Sequence, residues 1–281
     1  MERITNELAH LKNFGFAWRE IDGVKALVCL PLEHDGFANG FSTRSGGVSP
    51  FPQNNLNLAG FDEDTEENIH ENRRRFLTLF ENEWTLATVW QIHSADVRVI
   101  RDFEDAKQNN DKDKCDAIVS NVPNVLVGVK TADCVPVLLG DVRTKTFSAV
   151  HAGWRGTLNS IVINAVNKMR EEFGTRAEDI RASIGPAASG KCYEVGADVI
   201  DAFTNNFSNA ETLFTATKEG HAFIDLHKAN RDQLISAGVN PEKIHVAPYC
   251  TMTRTDLFFS YRVEKKLYGK TGRLLSVIGK R

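Results

Sequence analysis

Through the middle of the chain, short apolar runs rich in β-branched residues alternate with Gly, Pro, Asn, Asp and Ser, the punctuation of strands and turns. Six such runs predict strands: Thr85 to Gln91, Val97 to Ile100, Ala117 to Ser120, Val125 to Lys130, Val135 to Leu139 and Thr146 to Val150. The period then changes. Between Thr157 and Phe173, Leu158, Ile161, Val162, Ala165, Val166 and Met169 fall on one face at helical spacing, and Gly174 follows as a stop. Glu194 to Phe203 and Leu226 to Ala237 also read as helices, the second closed by Gly238 with Pro241 beyond. The polar run Asp102 to Lys114 carries charges of both signs and reads as a surface excursion joining two strands. With no internal repeat and no low-complexity linker, the pattern predicts a mixed α/β chain.

The 281 residues exceed the commonest domain size, yet mixed folds with several sheets reach this length undivided, so one large domain is expected. Composition adds that 42% hydrophobic and 25% charged residues suffice for a sizeable core. A formal net charge of −3 supplies no bulk positive field, which argues against nucleic acid or an anionic membrane as partner and leaves a small-molecule substrate open. The apolar stretches Ala26 to Leu32 and Cys134 to Leu139 are far shorter than the roughly 20 residues that span a bilayer. Met1 to Phe16 lacks the apolar core and cleavage pattern of a secretory signal. Cys29, Cys115, Cys134, Cys192 and Cys250, an odd number without a C-x-x-C pair, fit reduced thiols in a cytoplasm.

Candidate chemistry emerges from the run Thr131 to His151, which reads as strand, polar turn, strand. If residues 140–145 form the connection, a symmetric antiparallel register pairs Leu139 with Thr146 and Cys134 with His151. Opposed side chains have Cβ atoms about 4.5–5.5 Å apart on one face, within reach of one zinc at ~2.3 Å from sulfur and ~2.0 Å from nitrogen. A one-residue slip would separate them onto opposite faces. Pro136 lacks an N–H, which predicts an edge or bulged strand. His93 ends the apolar run Thr88 to His93 and offers a third ligand. Two imidazoles and a thiolate suit zinc, and copper less specifically; three ligands leave a coordination position open, as catalytic zinc sites do. Pattern alone is weak here, because a free cysteine in an apolar strand is usually a buried hydrophobe and a histidine at a strand end usually a hydrogen-bonding residue.

After His151, Ala152-Gly153-Trp154-Arg155-Gly156-Thr157 turns from a strand directly into the helix, and a helix start presents unpaired N–H groups to an anion. Arg155, and Arg44 from the Gly-Gly loop after Thr43, could add guanidinium contacts to phosphate; the alternative for each is a surface ion pair.

Taken together, these segments resemble the YfiH/laccase-domain family, whose bacterial members are described as purine nucleoside phosphorylases. The resemblance rests on Gly40 to Ser49 (GFSTRSGGVS), Asn55 to Leu58 (NLNL), Trp90 to Val97 (WQIHSADV), Asp116 to Val119 (DAIV), Thr131 to Leu139 (TADCVPVLL) and Val150 to Thr157 (VHAGWRGT). Ile184 to Pro186, Cys192 to Val195, Cys250-Thr251 and Phe259 to Arg262 follow in family order. Two departures are visible: Ala187 where many members have a cysteine, and Val263 where a second arginine often follows Tyr-Arg. Residues 1–33 read as a variable extension with a first strand, and 34–281 as the family domain.

The resemblance implies a single domain in which two mixed β-sheets pack together with helices outside, an α/β/β/α layering. It implies His93, Cys134 and His151 as metal ligands and catalytic residues; from the turn and guanidinium chemistry above, Arg44, Arg155, Gly156 and Thr157 are expected to bind substrate or phosphate. It further implies phosphorolysis of adenosine, inosine, guanosine and methylthioadenosine, and deamination of adenosine. The oligomeric state and the group that protonates the purine are left open. Two other functions compete. A copper-dependent polyphenol oxidase is disfavoured as a multicopper enzyme, because eight histidines with no H-x-H pair cannot supply a trinuclear cluster beside a blue-copper site. A peptidoglycan-editing Cys-His hydrolase would need Cys134 as a free thiolate, whereas a purely structural zinc would need a fourth ligand such as Asp133 or Cys192.

Overall fold

The computed structural model describes residues 9–50, 55–59, 64–107 and 113–281. In chain order the strands are β1 (Phe16–Ile21), β2 (Val24–Cys29), β3 (Phe37–Ser42), β4 (Thr85–Ala87), β5 (Val97–Ile100), β6 (Ala117–Ser120), β7 (Val125–Thr131) and β8 (Val135–Asp141). There follow β9 (Phe147–Ala152), β10 (Ile180–Ile184), β11 (Glu194–Gly196), β12 (Phe214–Lys218), β13 (His221–Ile224), β14 (Ile244–Val246) and β15 (Leu274–Lys280). One six-stranded sheet runs β1-β2-β3-β15-β7-β4, antiparallel except for the β7-β4 pair. A second runs β14-β10-β8-β9-β6-β5, with parallel pairs at both ends.

Alternation along the strands sorts the apolar side chains into three layers. Leu27, Phe41, Val127 and Ile278 of the first sheet meet Ile118, Leu138, Phe147 and Ala149 of the second in a core between the sheets. On the outer face of the first sheet, Ala26, Leu126 and Val277 pack against Phe76, on the helix Glu66–Leu77, and Phe80. On the outer face of the second, Val137, Leu139 and Val150 pack against Ile161, Val162, Val166 and Met169 of the helix Ile161–Phe173 and Leu234 of the helix Leu226–Ser236. The result is the expected α/β/β/α layering in a mixed α/β domain. Truncating a fully buried side chain such as Phe147 would cost about 3–5 kcal/mol, through lost burial and the cavity left behind.

Several local expectations are corrected. The β8–β9 register pairs Pro136 with His151 and Leu139 with Ser148, two residues away from the symmetric register. The cause is Asp141, which stays in the strand while its carboxylate accepts from the backbone N–H groups of Arg143 (2.8 Å) and Thr144 (3.1 Å), tightening the turn. A two-residue shift preserves the face, so Cys134, just ahead of β8, becomes a diagonal neighbour of His151. Nor is β8 an edge: it lies between β10 and β9. Pro136 is tolerated where the β10 ladder ends. Its carbonyl accepts from the Gly185 N–H at 2.9 Å, and the Gly185 carbonyl, with no proline N–H to receive, pairs with the His227 ring at 3.2 Å.

The helix expected from Thr157 starts three residues earlier and is broken. A short helix, Trp154–Leu158, ends at Asn159, and Ser160 takes a left-handed φ of 60° before Ile161–Phe173 begins; the stop at Gly174 is as expected. Glu194–Gly196 is a strand of a small sheet, β11-β13-β12, and the expected helix occupies only Ala197–Asn206. Within 1–33, β1 and β2 form a hairpin built into the first sheet, one strand more than expected, while residues 1–8 lie outside the described residues. The surface excursion contains a helix, Phe103–Lys107, and its residues 108–112 lie outside the described residues.

Candidate metal centre and cavity

The strand expected to reach Gln91 ends at Ala87, and this shortening builds the site. Beyond Ala87 the backbone leaves β7, and the side chain of Gln91 takes over: its amide donates to the Lys130 carbonyl (2.6 Å) and accepts from the Lys130 N–H (2.7 Å). Released from the ladder, the chain curls around the carboxylate of Asp116. The N–H groups of Ile92 (3.1 Å), His93 (3.0 Å) and Ser94 (2.6 Å) all donate to it. These bonds hold His93 in a left-handed conformation, φ 62°, that a non-glycine residue adopts at a cost of about 1–3 kcal/mol.

Asp116 also fixes the second histidine. His151 Nδ1 lies 2.7 Å from Asp116 Oδ1, and the His151 N–H donates to the Asp116 carbonyl at 2.7 Å. The bond makes Nδ1 the protonated nitrogen and turns Nε2 toward the other ligands, the usual carboxylate–histidine support of a metal site. Cys134 enters from a turn pinned by Asp133, at φ 83°. The Asp133 carboxylate accepts from the Thr251 hydroxyl (2.6 Å), the Ser260 hydroxyl (3.0 Å) and the Arg262 N–H (2.7 Å). With its oxygens so engaged, Asp133 is not poised as a fourth ligand.

His93, Cys134 and His151 converge. One ligand atom from each lies within 4.8 Å of the other two, with Cys134 Sγ 3.9 Å from His93 Nε2 and the imidazoles edge to face at 4.9 Å between centroids. This is wider than one zinc allows: ligands at ~2.0–2.3 Å and near-tetrahedral angles lie roughly 3.5 Å apart, so the widest pair would close by about an ångström on binding. The donor set fits a borderline metal. Among the described residues this is the one such cluster, and Cys192 is not part of it.

Electrostatics agree with a ligating thiolate. Burial alone would raise the Cys134 thiol, but the charge and hydrogen bond of His151, with His93 beside it, bring it down to about 6. Burial would depress His151, but the Cys134 thiolate and Asp116 carry it up to about 9. Without metal the pair is therefore a thiolate beside an imidazolium. Gly153 closes the back of the site: a Cβ there would stand 2.9 Å from His93 Cδ2 and 3.1 Å from Cys134 Sγ. Its φ of −69° is ordinary, so Gly153→Ala is expected to leave the thermal midpoint nearly unchanged while weakening zinc by about ten-fold or more, read by competition with a chromogenic chelator. Undiminished zinc affinity in that variant would show that the two ligands can give way.

The centre opens into a cavity of about 560 Å³ lined by Trp90, Gln91, Lys130, Asp133, Trp154, Arg155, Tyr193, Tyr261, Arg262 and Arg273 among others. Its guanidiniums rest on aromatic faces: Arg155 over Trp154 at 4.2 Å, Arg262 over Tyr193 at 4.7 Å and Arg273 over Tyr261 at 5.8 Å. Of the residues expected to bind phosphate, Arg155 lines the cavity. Arg44 instead lies under Phe259, paired with Glu264 at 2.7 Å and donating to the Thr255 carbonyl at 2.8 Å. Gly156 packs against the Ser94 carbonyl, and the buried Thr157 hydroxyl accepts from Asn230 at 3.1 Å. Sequence reasoning gave Asp116 no role, although a ligating histidine calls for a partner carboxylate. The cations Lys130 and Arg273 carried no local signal, and Arg262 appeared only as the end of the run Phe259 to Arg262, without a role.

A sequence profile described as multi-copper polyphenol oxidoreductase laccase matches residues 38–281. A protein of Bacteroides thetaiotaomicron named purine nucleoside phosphorylase is 33% identical over 243 residues, 84% of this chain and 89% of that one. Purine nucleoside phosphorylase YfiH of Shigella flexneri is 35% identical over 246 residues, 86% of this chain and 93% of that one. Among solved structures, a hypothetical protein YfiH of Bacillus licheniformis superposes with a TM-score of 0.86 at 30% identity, covering 95% of this chain and 99% of that one. YlmD of Geobacillus stearothermophilus gives 0.84 at the same identity and coverage. The chain belongs to the laccase-domain family of YfiH and YlmD.

Proposed function

We propose that this protein is a zinc-dependent purine nucleoside phosphorylase acting on adenosine, inosine, guanosine and methylthioadenosine, which also deaminates adenosine. The observation that carries the reading is the juxtaposition of His93, Cys134 and His151 with a cavity both cationic and aromatic. Names of relatives from Bacteroides thetaiotaomicron and Shigella flexneri support it. A purine needs flat apolar surface, which Trp90 and Tyr261 offer at 45% and 47% exposure. Phosphate needs forked donors, and Arg155 and Arg262, their planes steadied by aromatic stacking, supply them. A bound zinc would supply Lewis acidity at the point where the two substrates meet. The chain's own residues orient the ligands through Asp116, hold phosphate with guanidiniums and bound the purine with indole and phenol rings. No described helix is long and apolar enough to cross a membrane, and the free thiols fit a reducing cytoplasm.

The test is zinc-loaded protein given phosphate and the four nucleosides, with products separated by chromatography. Free purine base and ribose 1-phosphate, or 5-methylthioribose 1-phosphate from methylthioadenosine, are expected only when phosphate is present, with inosine or hypoxanthine from adenosine. Arg262→Ala should raise the phosphate KM by about ten-fold or more with little change in thermal midpoint, as expected for loss of a charge-assisted contact. Release of free purine base at the same rate without phosphate would refute the phosphorylase reading.

A second reading is favoured by one specific feature. Cys134, His151 and Asp116 form a thiolate–imidazolium–carboxylate series, the arrangement of a cysteine hydrolase. Such an enzyme works with its sulfur free of metal, so activity of the stripped protein, lost on adding zinc, would select it. Copper in place of zinc is compatible with the donor set, but one three-ligand cluster among the described residues is not a multicopper centre.

A further inference from the structure

Away from the metal ligands, two half-buried thiols face each other across 58 residues of sequence: Cys192 Sγ and Cys250 Sγ are 3.2 Å apart. We propose that they form a thiol–disulfide exchange site that accepts a low-molecular-weight disulfide of the glutathione class and closes into an intramolecular disulfide.

The backbone around the pair is already fixed. Ala187 and Cys250 form a parallel bridge, and the Thr251 N–H donates to the Ala187 carbonyl at 3.1 Å. Closing the bond requires the sulfurs to approach by about 1 Å, to the ~2.05 Å of a disulfide, within the reach of side-chain rotation. Hydrogen-bond polarity separates the two roles. The Ser189 N–H donates to Cys250 Sγ at 3.3 Å, which favours a thiolate there. Cys192 Sγ instead donates to the Ser189 carbonyl at 3.7 Å, which favours the protonated thiol, and has the Ser189 hydroxyl 3.4 Å away. The directions of titration agree: burial and the adjoining Cys250 sulfur raise Cys192, while at Cys250 the hydrogen bonds from Ser189 and Cys192 overcome burial and lower it.

Cys250 is therefore the attacking group and Cys192 the resolving one. The Cys250 thiolate attacks one sulfur of the small disulfide, forming a mixed disulfide and expelling a thiolate that takes up a proton. Cys192 then loses its proton and attacks Cys250 Sγ, expelling the second small thiol. Two protein thiols are oxidised and one small disulfide is reduced to two thiols. The consequence reaches the cavity through the chain, because Tyr193 on its wall follows Cys192, and Thr251, which holds Asp133, follows Cys250.

The experiment treats reduced, zinc-loaded protein with oxidised glutathione, blocks remaining thiols with an alkylating agent and maps the peptides by mass spectrometry. Wild type should lose two free thiols to a Cys192–Cys250 linkage that dithiothreitol reverses. The buried Cys29 and Cys115 should stay unmodified, which shows that the folded protein reacted. Cys192→Ser should stop at a glutathione adduct on Cys250, and Cys250→Ser should form no adduct on Cys192 at a comparable rate. The proposal is overturned if both thiols stay free, if either pairs with another cysteine, or if the wild type accumulates the unresolved adduct.

Discussion

Cys134→Ser is expected to give a folded protein that retains no zinc and performs neither phosphorolysis nor deamination. The sulfur is one of three candidate ligands among the described residues, and a neutral hydroxyl cannot replace a thiolate as a charged, soft donor. The fold should survive, because Cys134 precedes β8 and its turn is held by the carboxylate of Asp133 rather than by the sulfur. Zinc content, thermal midpoint, adenosine deamination and inosine phosphorolysis belong on one preparation. A cysteine that only packs would behave otherwise, costing roughly 1–3 kcal/mol of stability while sparing the rate of what remained folded. If the variant keeps its zinc, or keeps one activity near the wild-type rate, a single shared metal centre is refuted.

The same centre predicts how zinc binding responds to pH in the wild type. With Cys134 at about 6 and His151 at about 9, the metal-free protein between those values carries a thiolate and an imidazolium. Zinc must displace the proton from His151, so its affinity should rise about ten-fold per pH unit across that window and level off above it. In Cys134→Ser the thiolate that raises His151 is gone, and the imidazole should titrate lower.

Much of this arrangement was legible because strands advertise themselves by alternation. Val137 and Leu139 point to one core and Leu138 to the other, and that period survives a wrong register. The two-residue error at β8–β9 was invisible because the turn depends on the Asp141 carboxylate, a side-chain choice that periodicity does not encode. A shift by an even number still left Cys134 and His151 on one face. Arg44 was misleading for a different reason: a loop arginine beside Gly46 and Gly47 looks available, but Glu264, some 220 residues on, neutralises it, and such pairings leave no local trace. The small sheet also hid, since β12 is largely exposed and lacks an apolar face to read.

Asp116→Asn is expected to be the most damaging single-atom change at the site. The carboxylate accepts four hydrogen bonds, Oδ1 from His93 N–H and His151 Nδ1, Oδ2 from the N–H groups of Ile92 and Ser94. An amide has one acceptor oxygen, so its NH2 must face one of these pairs of donors, whichever way it is turned. Two donors then lose their partner and confront a third. At about 1.5–3 kcal/mol for each bond to a charged group, the loss should reach roughly 3–6 kcal/mol. Because His93 would be freed from its left-handed conformation and His151 from its tautomer, zinc affinity should fall by about 10–100-fold even in the fraction that remains folded. The pH dependence identifies the cause. Burial would raise Asp116, but the His151 hydrogen bond and charge and the backbone N–H groups hold it below the usual aspartate range. A carboxylate lowered in the folded state adds stability that is present above its unfolded value and is lost as pH falls through the folded one. The stability gap between wild type and Asp116→Asn should therefore be full above about pH 5 and narrow on acidification below about pH 4. Denaturant unfolding of the metal-free proteins across that range measures the gap directly. A gap that does not change with pH would mean that Asp116 contributes shape rather than charge, and that the two histidines are held by the fold around them.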